Sequence, residues 1–232
     1  MGNWCRRILF VISILGLSWL GMMATHEFGH VVAAKLTGGT VVRVVLHPAT
    51  ISRTDVLPNP SPLAVAWAGP VLGCLIPVLV TLAARRLTTI SRSESKEQER
   101  VSSHEWLDKK PPDRSPGIDQ PVRIARAPQR LKMNSLIQFF AGFCCLANGA
   151  YLGVGVFDRV GDADEILKAG TSSWLLIVFG LVASVSGMAL WHQLGSPFAI
   201  LQSREELDPW LVRGLVVTLL LVLIVECVLS PI

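Results

Sequence analysis

Five long apolar runs constrain this chain more than any other feature. They fall at about residues 8–25, 63–84, 136–157, 174–191 and 211–229 of the 232. Eighteen residues of helix reach about 27 Å, enough to cross the hydrocarbon core of a bilayer. A soluble domain carries about 25% charged residues; here the share is 16%, against 51% apolar residues. The length suits one bundle rather than two independent domains. The expected fold is an all-α membrane protein, a bundle of about five transmembrane helices with a small β element after the first.

The pattern between the runs sets the expected boundaries. Helical character continues from the first run to Leu36, where Gly38 and Gly39 stop it. Arg6 and Arg7 precede that run as in a signal peptide. It does not end in a small-x-small cleavage site, so a retained transmembrane helix is expected. Residues 40–46 are β-branched and, with residues 49–53, predict a hairpin or edge strands. Pro58, Pro60 and Pro62 mark a rigid turn, and Pro70 and Pro77 predict a bent second span. Residues 91–132 read as a flexible polar linker without a core of its own. Asn148 lies inside the third span, and residues 158–170 form a short acidic connection. Trp174, Trp191 and Trp210 sit at span ends, where indoles prefer the interface. The expected division is 1–84, the first two spans; 85–134, the linker; and 135–232, the last three spans.

The net charge of +4 is unevenly spread, because twelve of the 21 Lys and Arg fall within residues 85–132. A basic loop between apolar helices fits a membrane surface. No nucleic-acid module or aromatic–basic interleaving accompanies it, so the lipid bilayer, and not DNA or RNA, is the expected partner. The cysteines Cys5, Cys74, Cys144, Cys145 and Cys227 form no CxxC and no disulfide-like spacing. All but Cys5 lie in apolar runs and are expected to be small, buried packing residues.

The chemistry concentrates where the first run ends. His26-Glu27-Phe28-Gly29-His30 reads HExxH. On a helix, residues four apart share a face, so both imidazoles can reach one zinc ion. The intervening Glu can hold and deprotonate an attacking water. Zinc in hydrolases takes three protein ligands. The third is sought among Asp158, Asp162, Asp164 and Glu165, which cluster after the third span. His47, His104 and His192 read better as surface or interfacial residues. Polar and charged groups within an apolar helix cost about 2.5–3.5 kcal/mol each at its centre, so three within five residues argue for a site.

These segments resemble the site-2 protease family of intramembrane zinc metalloproteases, in particular its short bacterial members. The resemblance rests on His26-Glu-Phe-Gly-His30 on an apolar helix followed by a short strand, on Ala68-Gly-Pro70 opening the next span, and on Asn148 followed by Gly161-Asp-Ala-Asp164. It implies that an Asp after the Asn-bearing helix completes the zinc site, and among the candidates it points to Asp162, with Asp158 and Asp164 open. It also implies that Asn148 orients substrate or polarises its carbonyl; a helix–helix hydrogen bond is the competing reading. The best-known members place Pro and Asp where this chain has Tyr151 and Val156, and Gly where it has Ala163. The strand at 40–46 could pair with an unwound substrate segment, or simply cap the cleft.

The expectation is thus a zinc-dependent endopeptidase acting on membrane-embedded protein substrates, with Glu27 as general base and Zn2+ on His26, His30 and Asp162. A catalytically silent relative that binds membrane proteins is the alternative; it need not keep Glu27. A metal transporter would place further His or Asp within the second, fourth and fifth spans, which hold none in their interiors. The expected location is a bacterial inner membrane. Basic residues put the linker in the cytoplasm, whereas the resemblance implies the opposite orientation.

Overall fold

A computed structural model describes residues 2–108, 133–194 and 207–230. In chain order they form α1 (Asn3–Leu36), β1 (Val41–Val45), β2 (Arg53–Val56), α2 (Pro62–Asp108), α3 (Met133–Asp158), α4 (Asp162–Lys168), α5 (Ser173–His192) and α6 (Pro209–Leu229). Five stretches are long and apolar enough to cross a membrane: α1, the Pro62–Ser91 part of α2, α3, α5 and α6. The sheet has two strands and follows the first helix, so the fold is of the expected class.

Apolar length accounts for the spans, and their ends follow local chemistry. α1 has 34 residues, about 51 Å of helix, and stops at Gly38 with φ of 80°. Gly39 N–H donates to Ala34 O at 2.7 Å, which closes the last turn. β2 begins later than residues 49–53 predicted. Residues 47–50 form a turn instead: Thr50 N–H donates to His47 O at 3.1 Å, and Ala49 N–H to His47 Nδ1 at 3.2 Å. Pro48 has no N–H to give a ladder. Antiparallel pairing therefore starts at Val45 with Arg53 and sets Val44 opposite Thr54.

α2 also departs from expectation. Its helix continues past the apolar part, through residues expected to be flexible, to Asp108. That stretch is rich in Glu, Lys, Gln and Arg and meets no Gly or Pro before Pro111, so intrinsic propensity sustains the helix. The remainder of the expected linker, residues 109–132, lies outside the described residues.

Small residues set the packing. Two membrane helices gain no hydrophobic stabilisation from leaving lipid for each other, so close van der Waals approach must supply it. A Cβ at Gly149 would stand 2.8 Å from Gly180 O, and one at Gly187 would stand 2.7 Å from Gly142 O. These glycines let α3 lie directly on α5. Trp191, expected at the interface, is drawn into this contact: its indole N–H donates to Phe139 O at 3.0 Å and its ring stacks on Phe139. Trp174 and Trp210 remain outside, 67% and 77% exposed. Cys74, Cys144 and Cys145 are buried, but Cys227 is exposed on α6, against the expectation that it packs inside; all five cysteines are free thiols.

α1 and α2 pass close together at Gly29 and Gly69. A Cβ at Gly29 would fall 2.4 Å from Ala68 O, and one at Gly69 would fall 2.3 Å from His30 Nε2. Gly29→Ala must push the backbones apart, an overpacking penalty of about 1–3 kcal/mol. Thermal unfolding of the purified protein in detergent should show a lowered midpoint for Gly29→Ala. Gly214→Ala, where a Cβ meets nothing within 4 Å, should leave it unchanged or slightly raised. Equal behaviour of the two would mean that the crossing is not tight.

Candidate active site

Two histidines of α1 face one point. His26 Nε2 and His30 Nε2 lie 3.1 Å apart, as their four-residue spacing on a helix allows. Each ring is held from behind. His26 Nδ1 lies 2.7 Å from Asn148 Oδ1, and His30 Nδ1 lies 2.7 Å from Val65 O. Asn148 Nδ2 donates to Cys144 O at 2.9 Å, which fixes its amide with the oxygen towards His26. Both partners of the histidines are carbonyl oxygens and can only accept, so both Nδ1 atoms carry the proton. The Nε2 atoms are then the ones left to meet a metal ion.

Asp162 completes the convergence. Its Oδ2 lies 2.9 Å from His26 Nε2 and 3.4 Å from His30 Nε2. This oxygen is buried and has no partner of hydrogen-bond geometry. Gly161 makes the approach possible. Its φ is 58°, and a Cβ there would run into the Tyr151 hydroxyl at 2.0 Å. That hydroxyl accepts the Asp162 N–H at 3.2 Å, and the Tyr151 ring meets His26 edge-on at 5.5 Å between centroids.

Glu27 is 2% exposed. Thr54 Oγ1, from β2, donates to Glu27 Oε2 at 2.7 Å, so the hairpin fixes the carboxylate. Among the described residues, His26, Glu27 and His30 form a group whose possible ligand atoms lie within 4.8 Å of one another. Asp162 Oδ2 is nearer to both imidazoles than that limit, and Glu27 already has a hydrogen-bond donor, so Asp162 fits a ligand position better.

The donor set fits a zinc ion. Two imidazole lone pairs and a carboxylate oxygen, three acceptors, meet in a buried place where only a cation relieves their repulsion. Their separations of 2.9–3.4 Å compare with about 3.3 Å between ligands in a tetrahedral zinc site. Beside them lies a cavity of about 510 Å³, lined by His26, Glu27, His30, Tyr151 and Asp162 and, along its other wall, by β2. From β1 it takes only Val42. The strand beside the cavity is therefore β2, not the 40–46 segment that the sequence offered.

The other candidates stand apart. Asp158 is exposed at the end of α3. Asp164 pairs with Lys168 at 2.5 Å. Glu165 is exposed and lines the cavity. His47 is engaged in its turn, and His192 ends α5; the side chain of His104 lies outside the described residues. Asn148 is 1% exposed and does not line the cavity. Sequence reasoning missed Thr54, Tyr151, Gly29 and Gly69 as parts of the site. For Tyr151 a signal existed: it follows Asn148 by three residues and so shares its helix face.

Residues 7–92 match the family model described as Peptidase M50B-like, the site-2 protease family. M50 peptidases are zinc metalloproteases. No curated protein and no solved structure matches the chain. The match and the five apolar helices suggest an integral membrane protein with a site-2 protease-like function. The matched residues 7–92 hold α1 with its HExxH, the hairpin and the membrane-spanning part of α2, and over them the chain is similar to the Peptidase M50B-like, site-2 protease family.

Proposed function

We propose that this protein is a zinc-dependent endopeptidase that hydrolyses peptide bonds of membrane-embedded protein substrates. The observation that carries the reading is the meeting of His26 Nε2, His30 Nε2 and Asp162 Oδ2 beside Glu27, at the wall of a cavity. His26, His30 and Asp162 would hold the zinc. Zinc held there supplies Lewis acidity, which makes a water nucleophilic near neutral pH and polarises a peptide carbonyl. Glu27 accepts a proton from the water as its oxygen bonds to the carbonyl carbon. Glu27 then gives that proton to the amine nitrogen as the C–N bond breaks. Thr54 keeps the carboxylate aimed. The resemblance to short bacterial members supports a bacterial inner membrane as the location.

Asn148 takes a positioning role in this reading, in place of the substrate contact that the resemblance implied. Its amide is buried and engaged at both ends. Accepting the His26 Nδ1 proton, it keeps the Nε2 lone pair turned to the site, as partners of metal-ligating histidines do.

Glu27→Gln should keep stoichiometric zinc and lose cleavage of a model transmembrane substrate by at least about 100-fold. Unchanged cleavage would remove Glu27 from the mechanism and overturn the assignment of the general base, whereas a parent protein that binds zinc without cleaving would favour the silent relative.

Zinc titration separates the acidic candidates. Asp162→Ala should lose zinc affinity sharply, whereas Asp164→Ala, whose carboxylate faces Lys168, should change it little. The reverse order would overturn the ligand set.

Asn148→Leu should weaken zinc binding by about 10–100-fold. Asn148→Asp keeps an acceptor for His26 and should lie closer to the parent protein. Full affinity in Asn148→Leu with raised KM alone would return Asn148 to substrate binding.

A further inference from the structure

Attack on a peptide bond moves charge onto the carbonyl oxygen, and a hydrogen-bond donor aimed there lowers the barrier. The resemblance implied Asn148 for that task, but both ends of its amide are engaged, Oδ1 at His26 Nδ1 and Nδ2 at Cys144 O. The wall of the 510 Å³ cavity offers few other side-chain donors. Both histidines turn their Nδ1 protons to Asn148 and Val65. Thr54 gives its hydroxyl proton to Glu27 at 2.7 Å, and Arg53 pairs with Asp55 at 3.4 Å. Ser52 and Asn59 belong to the wall formed by β2 and the residues around it.

Tyr151 stands on the opposite side, with the histidines and Asp162. It lines the cavity from α3, one turn past Asn148. Its ring meets that of His26 edge-on at 5.5 Å between centroids, and its oxygen accepts the Asp162 N–H at 3.2 Å. The phenol therefore touches two of the three residues that would hold zinc. Gly161 leaves the hydroxyl its place, which a Cβ there would take. A phenol hydroxyl can accept and donate at once. Asp162 uses the acceptor, and among the described residues nothing takes the proton. The described parts of α3 and α5 break off far from this point. Met133 stands eighteen residues of helix from Tyr151, about 27 Å, and Trp191 packs near that end on Phe139.

We propose that Tyr151 is a catalytic residue: its neutral hydroxyl donates a hydrogen bond to the substrate carbonyl oxygen as negative charge gathers there. The inference rests on the protease reading. When the water oxygen bonds to the carbonyl carbon, the π electron pair moves onto the carbonyl oxygen. The Tyr151 proton stays on the phenol and stabilises that charge. The pair returns to the C–O bond as the C–N bond breaks and the amine leaves with the proton from Glu27. Nothing is transferred to or from Tyr151, and a neutral donor adds no charge to a site that already gathers a cation and two carboxylates.

Tyr151→Phe removes the hydroxyl and keeps the ring against His26. The test measures cleavage, zinc affinity and the binding of two uncleavable peptides by the zinc-loaded protein. One is a phosphinic peptide, whose P–O⁻ stands for the charged oxygen. The other is the matching ketomethylene peptide, neutral at that oxygen. In Tyr151→Phe, kcat should fall about 100-fold with KM, zinc affinity and the unfolding midpoint near those of the parent. The phosphinic peptide should bind at least about tenfold more weakly, and the ketomethylene peptide about as before. Equal weakening of the two peptides, or an unchanged kcat, would overturn the proposal. A loss of zinc affinity or of the folded state that matches the loss of activity would leave Tyr151 as no more than the anchor of Asp162, and would overturn it too. A parent protein that holds zinc and cleaves nothing fails the protease reading instead, and the comparison of the two peptides still decides what Tyr151 does.

Discussion

The site depends on two backbones passing where neither carries a side chain. At Gly29 and Gly69, α1 and α2 come so close that a Cβ on either would occupy the place of Ala68 O or of the His30 ring. That approach also brings Val65 O, one turn before Gly69, onto His30 Nδ1. One contact thus excludes bulk and supplies an acceptor. The requirement is stricter in a membrane than in water. An unsatisfied N–H in hydrocarbon costs several kcal/mol, and an imidazole facing lipid would find nothing to bond. His30 is tolerable in an apolar helix because α2 reaches it.

α3 gives His26 the equivalent support through a side chain. Asn148 reaches the ring with its amide oxygen, and Gly73 on α2 leaves room for it: a Cβ there would lie 2.9 Å from Asn148 Nδ2. With both Nδ1 protons directed outwards, both Nε2 lone pairs turn inwards and meet Asp162 Oδ2. Such a group of acceptors is unstable by itself. It becomes favourable when a cation sits among them, and in a low-dielectric place the attraction is larger than it would be in water. Structure and electrostatics therefore give the same answer from separate observations, one from hydrogen-bond partners and one from the unpartnered carboxylate oxygen.

Much of this was legible in the sequence, but at different depths. The spans could be read because a hydrocarbon core imposes a length, and HExxH could be read because its spacing is that of one helix face. The fold class and the small β element follow from those alone. The details that failed depend on competition between local forces. Residues 47–50 had β-branched neighbours, yet a turn built on His47 displaced the strand. Residues 91–108 looked like linker, yet their helix formers extend α2. Trp191 looked interfacial, yet the glycine-lined face of α3 offered its ring a seat and its N–H a carbonyl. Asn148 stood out in the sequence as a polar residue inside a span, but only the three-dimensional arrangement reveals that its oxygen is on His26. Tertiary partners of a side chain across 122 residues leave no periodic trace.

The hairpin links covering the site to aiming its carboxylate. β2 runs along the cavity, and Thr54 within it holds Glu27. A peptide bond within a helix is shielded, because its carbonyl and N–H are already paired and its side chains surround it. A segment that passes between β2 and the imidazoles must be extended. Any displacement of β2 that admits such a segment also moves Thr54, and with it the hydrogen bond that orients Glu27. On the proposed reading, the general base is correctly aimed only when the strand beside the cavity lies in place. Accurate seating of the substrate and activation of water then become one event, carried by a single hydroxyl on the strand.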